Sequence, residues 1–417
     1  MLSLARSISS LLAGVALLLA GAGLLGTLLA VRAAQEGFPD RVIGLVMSGY
    51  FAGFLLGTWL APHVIQRAGH IRAFAMFASI AASTALLHVL VIDAWAWGLL
   101  RIATGTCLVS LYMIVESWLN AQAPPGQRGQ VFAAYMIVNF LALAAGQWLL
   151  LLYPPDGYAP FIVVALLLCW SLVPVSLTRI HPPAVGEMRR LSLRRLYAVS
   201  PAGLAGAFGS GFAMGAFWGL GPVAAQRLGL ETTQVAMFMI VAILGGALIQ
   251  WPVGHWSDRH DRRRVLAVVC ALAAVLAFAA YAGREHPALL LSCMFGFGGL
   301  AFTVYPVSIA LANDLLSADE LVAGAGTLLL VHGAGAALGP SAAGLMMEGF
   351  GGAGLLLHFG IASLLLALYV GWRVLRAEPM LASTHFAAMV RTTPTVLELL
   401  PEATEPPPAA PGEPLSR

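Results

Sequence analysis

Apolar residues follow one another along this chain in long runs that short polar segments interrupt. Continuous runs of about 20 apolar residues are long enough to cross a bilayer as helices, whereas a membrane β-barrel needs strands of alternating polarity. The pattern therefore predicts an all-α integral membrane protein with twelve transmembrane helices. Their expected spans are residues 8–31, 42–63, 73–92, 95–117, 130–152, 159–178, 199–221, 232–256, 265–283, 287–312, 320–343 and 351–372.

One segment of the chain occurs twice, first as Gly53 to Arg72 and again 192 residues later as Gly245 to Arg264. In both copies an apolar helix runs into a short arginine-bearing loop that opens the next helix. Internal repeats of this kind are typical of transporter folds. We therefore expect two pseudo-symmetric six-helix bundles, and the matched pairs are Gly53 and Gly245, Trp59 and Trp251, His63 and His255, Arg67 and Arg259, and Arg72 and Arg264.

The repeat and the spans together predict four parts of the chain. An N-terminal bundle covers residues 1–178, a cytoplasmic linker 179–198, a C-terminal bundle 199–373 and a mostly disordered cytoplasmic tail 374–417. Four arginines among leucines make the linker either a short amphipathic segment on the inner membrane surface or a solvated connection. They are Arg189, Arg190, Arg194 and Arg195. The tail ends in a segment rich in Pro, Glu and Ala that has too little apolar surface to fold.

Composition agrees with a membrane protein, and arginine placement orients it. The chain is 59% hydrophobic and 10% charged, whereas soluble proteins contain about 25% charged residues. Cytoplasmic loops carry an excess of basic residues. With both termini inside, fifteen arginines fall in inner loops and helix ends, and four fall outside, namely Arg32, Arg41, Arg227 and Arg284. We therefore expect a plasma (inner) membrane protein with both termini in the cytoplasm.

The second copy of the repeat contains a specific motif. Residues Gly254 to Leu266 read GHWSDRHDRRRVL and resemble the loop signature of the major facilitator superfamily, with Asp261 in place of its second Gly. The first copy keeps Arg67 and Gly69 but has Gln66 where that family usually has Asp. The segment RIATG in the fourth helix is similar to the family's helix-4 pattern. The segments IVESWLN, YP and GPS are similar to its YcaD-like branch.

The resemblance implies a gate in which Asp258 faces the start of the fifth helix near Arg128, with Arg262 and Arg263 near the lipid surface or Glu116. Backbone N–H groups at a helix start attract an anion by about 0.3–1 kcal/mol. By pseudo-symmetry Gln66 should face the start of the eleventh helix. Because it has no charge, its contact there should be weaker than that of Asp258 with the fifth helix. A charged loop that only fixes topology is the alternative. Further candidates in these loops are Arg67, Gly69, Arg72, Gly254, Arg259 and Asp314.

Arg101 is the one deep charge, about six residues into the fourth helix and roughly 9 Å from its outer end. Because a charge near mid-bilayer costs about 2.5–3.5 kcal/mol, Arg101 should face either a wet cavity or structural hydrogen-bond acceptors. In the first case it would bind a small polar, carboxylate-bearing solute. The polar residues expected in the same cavity are Tyr50, Asn139, Gln147, Trp218, Gln250, Tyr305 and His332.

The sequence favours a secondary active transporter that works by alternating access. A non-transporting receptor or assembly protein of the same fold is the alternative. No enzyme chemistry, cofactor, metal cluster or nucleic-acid partner is indicated, because we find no carboxylate pair, nucleotide motif or His and Cys cluster. The expected partners are a small-molecule substrate, a co- or counter-transported ion and the lipid bilayer, and we expect a monomer. Titratable candidates for ion coupling are His332, Glu116 and Asp314.

Overall fold

The computed structural model describes residues 2–123, 127–177, 191–317 and 319–376, with side chains from residue 8 onward. Of the fifteen arginines expected on the inner side, the side chains of Arg6, Arg179, Arg189 and Arg190 lie outside this description, as does the tail beyond residue 376. Within it the chain is helical and has no strand. The helices are α1 (Leu2–Gln35), α2 (Asp40–Ala68), α3 (His70–Leu90), α4 (Ala94–Gln122), α5 (Arg128–Leu149), α6 (Ala159–Trp170), α7 (Leu172–Leu177), α8 (Leu193–Val199), α9 (Pro201–Arg227), α10 (Thr232–Ser257), α11 (Arg262–Ala282), α12 (Pro287–Asn313), α13 (Leu321–Phe350) and α14 (Ala353–Leu375).

Twelve membrane-length segments emerge from the described helices, as the hydropathy pattern predicts. Eleven are long and apolar enough to cross a bilayer, with α6 and α7 sharing one span, Ala159–Leu177. The twelfth is α9, whose seven glycines lower its mean hydropathy. Most of α9 is nevertheless buried, and it packs closely against α13. Large apolar side chains face outward, including Trp95 at 79% and Trp251 at 77% exposure. Apolar surface on this scale is stable only in lipid.

The two copies of the repeat pack in the same way. Contact between α2 and α4 is matched by contact between α10 and α12, and the α1–α5 pair is matched by α9–α13. Likewise α3 contacts α6 as α11 contacts α14. The predicted architecture of two pseudo-symmetric six-helix bundles is therefore confirmed.

Glycines at equivalent positions allow these equivalent contacts. A Cβ atom on Gly53 would collide with the carbonyl oxygen of Ile102 in α4, and one on Gly245 would collide with that of Phe295 in α12. Small residues permit such close approach of helix backbones in a membrane. The repeat visible in the sequence is thus a repeat of helix-packing geometry.

The loops of the two copies differ at one position. Gly69 separates α2 from α3 with a φ of 79°, a left-handed conformation that favours glycine. Its counterpart Asp261 has a φ of −58° and caps α11, because its side chain accepts a hydrogen bond from the Arg263 amide. The Asp that replaces the family's usual Gly therefore serves as a helix cap.

The described end of the linker is attached to the C-terminal half. Arg195 in α8 donates hydrogen bonds to both oxygens of Glu320, at 3.1 and 3.3 Å. These bonds lower the pKa of the Glu320 carboxyl, with a further contribution from Ser317. The Thr327 hydroxyl in α13 donates to the Leu191 carbonyl at 2.8 Å. Residues 191–199 are therefore joined to the beginning of α13.

Candidate functional site

A pocket of about 720 Å³ lies between the two halves and opens partly to the surroundings. Helix α2 contributes its wall on one side, and α9, α12 and α13 contribute the other. Tyr50, Trp218, Tyr305 and His332, all expected from the sequence, lie in this wall. The rings of Tyr305 and His332 are 4.4 Å apart. The remaining lining residues are Phe51, Phe54, Ser210, Met214, Gly215, Phe302, Leu329, Gly333 and Ala336.

A second pocket of about 350 Å³ adjoins the first and contains Arg101. Its other lining residues come mainly from α1, including Thr27. Arg101 is only 5% exposed, and its guanidinium lies 4.6 Å from the centre of the Tyr50 ring. Tyr50, Phe51 and Trp218 line both pockets. The two pockets therefore adjoin across shared walls, and we call them together the elongated cavity, with a cation at one end and mostly aromatic walls at the other.

Three polar residues expected in the cavity are not among its lining residues. Asn139 is buried and donates a hydrogen bond to the Tyr135 carbonyl of its own helix, at 2.7 Å. Gln147 is buried between α5 and α1, where it accepts a 2.6 Å hydrogen bond from Thr27. Gln250 is also buried. These amides are therefore buried in the helix packing, where Asn139 and Gln147 form hydrogen bonds without reaching the pocket.

Several cavity residues carry no polar signal that sequence reasoning could use. Phe51, Phe54 and Phe302 resemble any lipid-facing phenylalanine when they are read in sequence. Phe302 contacts both halves, because its ring lies 6.0 Å from Trp218 and 6.3 Å from Phe140 of α5. Only packing distinguishes these rings from those that face the lipid.

The two halves also contact each other where α2 begins and where α9 and α13 end. We call this contact the clasp, formed by Asp40, Arg41, Ser48, Arg227, Ser341 and Glu348. The Ser48 and Ser341 hydroxyls are hydrogen bonded at 2.8 Å. Arg227 donates to Asp40 at 3.1 Å, and Arg41 lies 3.5 Å from Glu348. Every one of these pairs joins the N-terminal half to the C-terminal half.

At the other end of the bundle, α10 ends, α11 begins and α12 ends close together. Charged gating candidates of the C-terminal half form a cluster there, and we call it the Asp258 cluster. Arg262 is 1% exposed and donates a 2.9 Å hydrogen bond to Asp258. It also lies 3.4 Å from the carboxylate of Asp314, which is equally buried. Arg263 forms an ion pair with Asp261. Arg262 thus connects the α10–α11 loop to the end of α12.

The corresponding region of the N-terminal half has a different arrangement. Glu116 is buried in α4 and accepts a 2.8 Å hydrogen bond from the Tyr135 hydroxyl of α5. His70 occupies the position equivalent to Arg262, and its Nε2 lies 3.5 Å from the Ser117 hydroxyl. The remaining gating candidates are divided between the surface and the interior: Arg67, Arg72 and Arg259 are exposed, Arg128 begins α5 and is partly buried, and Gly254 is buried.

Comparison with known proteins supplies the family. A family model described as Major Facilitator Superfamily matches residues 203–401. An uncharacterized MFS-type transporter YcaD from Escherichia fergusonii is 30% identical over 345 residues, which cover 82% of this chain and 89% of that protein. A relative from Enterobacter sp. strain 638, also described as an uncharacterized MFS-type transporter, is 31% identical over 83% of this chain and 90% of its own length.

The fold is also that of a solved transporter. The crystal structure of the nucleoside transporter NupG matches with a TM-score of 0.71 at 17% identity, covering 91% of this chain and 100% of that one. The identity is too low to carry more than the fold. Two repeated six-helix bundles and sequence similarity over more than four-fifths of the chain agree. The chain belongs to the major facilitator superfamily and is a relative of its YcaD-type transporters.

Proposed function

We propose that the protein is a secondary active transporter that moves a small solute across the membrane by alternating access. The observation that carries this proposal is the elongated cavity, whose walls come from α1, α2 and α4 on one side and from α9, α12 and α13 on the other. Movement of one bundle against the other changes access to a site with this construction. The complete cavity lies within one chain, which suits a monomer.

The clasp sets the conformational state that we propose for this structure. The arginine distribution supports an orientation in which the clasp lies at the outer surface and the Asp258 cluster lies on the cytoplasmic side. In this state the cavity is closed to the outside. Opening it outward requires the Ser48–Ser341, Asp40–Arg227 and Arg41–Glu348 contacts to break.

Asp258 is the residue that we propose as the inner gate. When the inner side closes, its carboxylate would stabilise the start of α5, whose backbone N–H groups attract an anion. Its present bond to Arg262 keeps the carboxylate ordered at the end of α10. An ion that exchanges with or accompanies the solute would supply the energy, because the chain has no nucleotide-binding motif.

A reversible lock on the clasp tests transport. In a background with Cys107, Cys169, Cys270 and Cys293 replaced by Ser, the double variant Ser48→Cys/Ser341→Cys should form a disulfide under oxidation, given the 2.8 Å between the native hydroxyls. Proteoliposomes would be incubated with a defined metabolite mixture, and their contents would be measured by mass spectrometry.

We expect at least one solute to enter the reduced vesicles, to be excluded after oxidation and to enter again after reduction. The single variants Ser48→Cys and Ser341→Cys are the matched controls and should not respond to oxidation. Absence of uptake in every sample, or equal uptake with and without the disulfide, would favour a receptor or assembly protein with this fold.

A further inference from the structure

Rings dominate the larger pocket of the cavity. Seven of its thirteen lining residues carry an aromatic or imidazole ring. Trp218 and Phe302 meet edge to face at 6.0 Å, and Phe217 packs against both of them from outside the lining set. Aromatic rings prefer offset-stacked or edge-to-face partners. A flat ring in the pocket would therefore stack on or pack edge to face against these rings. A small hydrophilic solute would make few contacts with this aromatic wall.

Charge is distributed unevenly along the same cavity. Arg101 lies in the smaller pocket, and no Asp or Glu lines either pocket within the described part of the chain. The planar guanidinium forms paired hydrogen bonds with a carboxylate and is more weakly hydrated than an ammonium group. At this end Arg101 would repel a cationic solute and attract an anion.

The shared walls connect the two ends. Tyr50, Phe51 and Trp218 line both pockets, so the space beside Arg101 adjoins the space around Phe302. The open space between the lining atoms is about 350 Å³ beside Arg101 and about 720 Å³ around Phe302, part of it continuous with the surroundings. A ring system that carries one acidic group would place its two ends in these two adjoining pockets.

We infer that the solute is an aromatic carboxylate, bound with its carboxylate at Arg101 and its ring against the Trp218 and Phe302 rings. This inference rests on the proposed transport function and specifies the substrate class of the same cavity. It replaces the small hydrophilic carboxylate that Arg101 alone would suggest. The additional contribution comes from the aromatic walls, in which Phe51, Phe54 and Phe302 join the four rings that the sequence predicts.

Three matched probes separate the roles of charge and ring. They are 2-naphthoate, its neutral amide 2-naphthamide, and the saturated acid decahydro-2-naphthoate, which keeps the charge but has no aromatic face. Binding to the purified full-length protein in detergent would be measured by isothermal titration calorimetry. We expect 2-naphthoate to bind at least tenfold more tightly than either of the other two probes.

Two substitutions should each remove one form of selectivity. Arg101→Gln should bring 2-naphthoate and 2-naphthamide within about threefold of each other. Phe302→Leu should bring the affinities for 2-naphthoate and its saturated analogue within about threefold of each other, while 2-naphthamide should still bind more weakly than 2-naphthoate. The matched control is Arg284→Gln, because Arg284 also lies over a tyrosine ring, 4.8 Å from Tyr281, but outside the cavity. It should behave like the parent.

Equal binding of all three probes, or binding of none, would overturn the inference. If Arg101→Gln does not fold, the order of probe affinities measured for the parent and for Phe302→Leu still tests the inference. The two proposals fail separately. Metabolite uptake without probe binding would support transport and contradict the aromatic-carboxylate ligand. Probe binding in the expected order, without uptake of any solute, would support the ligand class and contradict transport.

Discussion

At the scale of single residues, Arg101 places a cation within an apolar helix. A charge near mid-bilayer costs about 2.5–3.5 kcal/mol on insertion scales. The Tyr50 ring, 4.6 Å away, offsets part of this cost, because a cation–π contact contributes about 0.5–2 kcal/mol. One ring is therefore insufficient alone, and the polar contacts and the cavity around the guanidinium must contribute the remainder. The position is tolerated because α4 turns Arg101 toward the centre of the protein.

Substitution of Arg101 distinguishes a binding role from a structural one. Arg101→Lys keeps the charge but loses the planar fork, and Arg101→Gln loses the charge. We expect both variants to insert and fold, yet to bind 2-naphthoate at least tenfold more weakly, which corresponds to about 1.4 kcal/mol. Size-exclusion profiles and calorimetry would measure the two properties. Misfolding of both variants, or unchanged affinity, would assign Arg101 a structural role.

The two carboxylates around Arg262 should differ in what they contribute. Asp314 is 1% exposed and Asp258 is 26% exposed. Breaking a buried ion pair costs about 3–5 kcal/mol, whereas exposed pairs contribute about 0–1 kcal/mol. We therefore expect Asp314→Asn to lower the unfolding temperature in detergent clearly more than Asp258→Asn. Equal temperatures for the two variants would show that Arg262 does not depend on its buried partner.

Asp258 should instead affect transport. Asp258→Asn is expected to reduce uptake strongly while expression and probe binding persist, because the change lies in the equilibrium between conformations. The control is Gln66→Ala at the equivalent position of the first copy, where the native side chain has no charge and the effect should be mild. Uptake by Asp258→Asn at the parental rate would mean that the loop only fixes topology.

At the scale of elements, glycines at equivalent positions of the two copies allow equivalent pairs of helices to pack closely. Gly53 lets α2 approach Ile102 of α4, and Gly245 lets α10 approach Phe295 of α12. In each case the obstacle to a side chain is a backbone carbonyl, which cannot rotate away as a flexible side chain can. A methyl group at either position would force the two helices apart.

Alanine substitutions test this packing. Gly53→Ala and Gly245→Ala should each destabilise the protein by about 1–3 kcal/mol, the range for overpacking in a tight core. Gly371→Ala in α14 is the matched control, because no atom lies within 4 Å of the added methyl group, and it should leave the unfolding temperature unchanged or slightly raised. Thermal unfolding in detergent would measure all three. A tolerant Gly53 or Gly245 site would contradict the close approach.

At the scale of the whole molecule, the ends of the bundle differ in charge and in closure. The clasp joins the two halves at one end through ion pairs that are at least partly exposed and a serine pair. The Asp258 cluster at the other end lies within the C-terminal half. Exposed pairs contribute little energy each, so the ion pairs of the clasp can break at small cost. This suits a gate that opens and closes repeatedly.

The arginine bias predicts a membrane orientation that can be measured. Asp156 and Arg194 are both exposed and lie on opposite sides in the proposed topology. In the cysteine-free background, an impermeant thiol reagent applied to intact cells should label Asp156→Cys and spare Arg194→Cys. Permeabilised cells provide the control, since both positions should then react. The reverse labelling pattern would refute cytoplasmic termini.

The sequence by itself determined the helices, their number and the repeat, because each depends on residues close together along the chain. A bilayer forces every backbone polar group to bond within its own helix, so a continuous apolar run predicts a span without knowledge of its neighbours. The pairing of Gly53 with Gly245 likewise required only comparison of two segments. Arg101, Tyr50, Trp218, Tyr305 and His332 were also identifiable as cavity candidates, since polar or amphipathic side chains are expensive to leave in lipid.

Tertiary structure alone decided which side chains share the cavity and which close it. Polarity could not separate His332, which lines the pocket, from Asn139, which is hydrogen bonded within its own helix. Phe302 has no polar group and becomes a candidate only because it packs against Trp218. Ser48 and Ser341 are 293 residues apart, and nothing local to either serine identifies the other. The side on which a helix meets its neighbours is set by packing between helices, and that packing depends on the whole bundle.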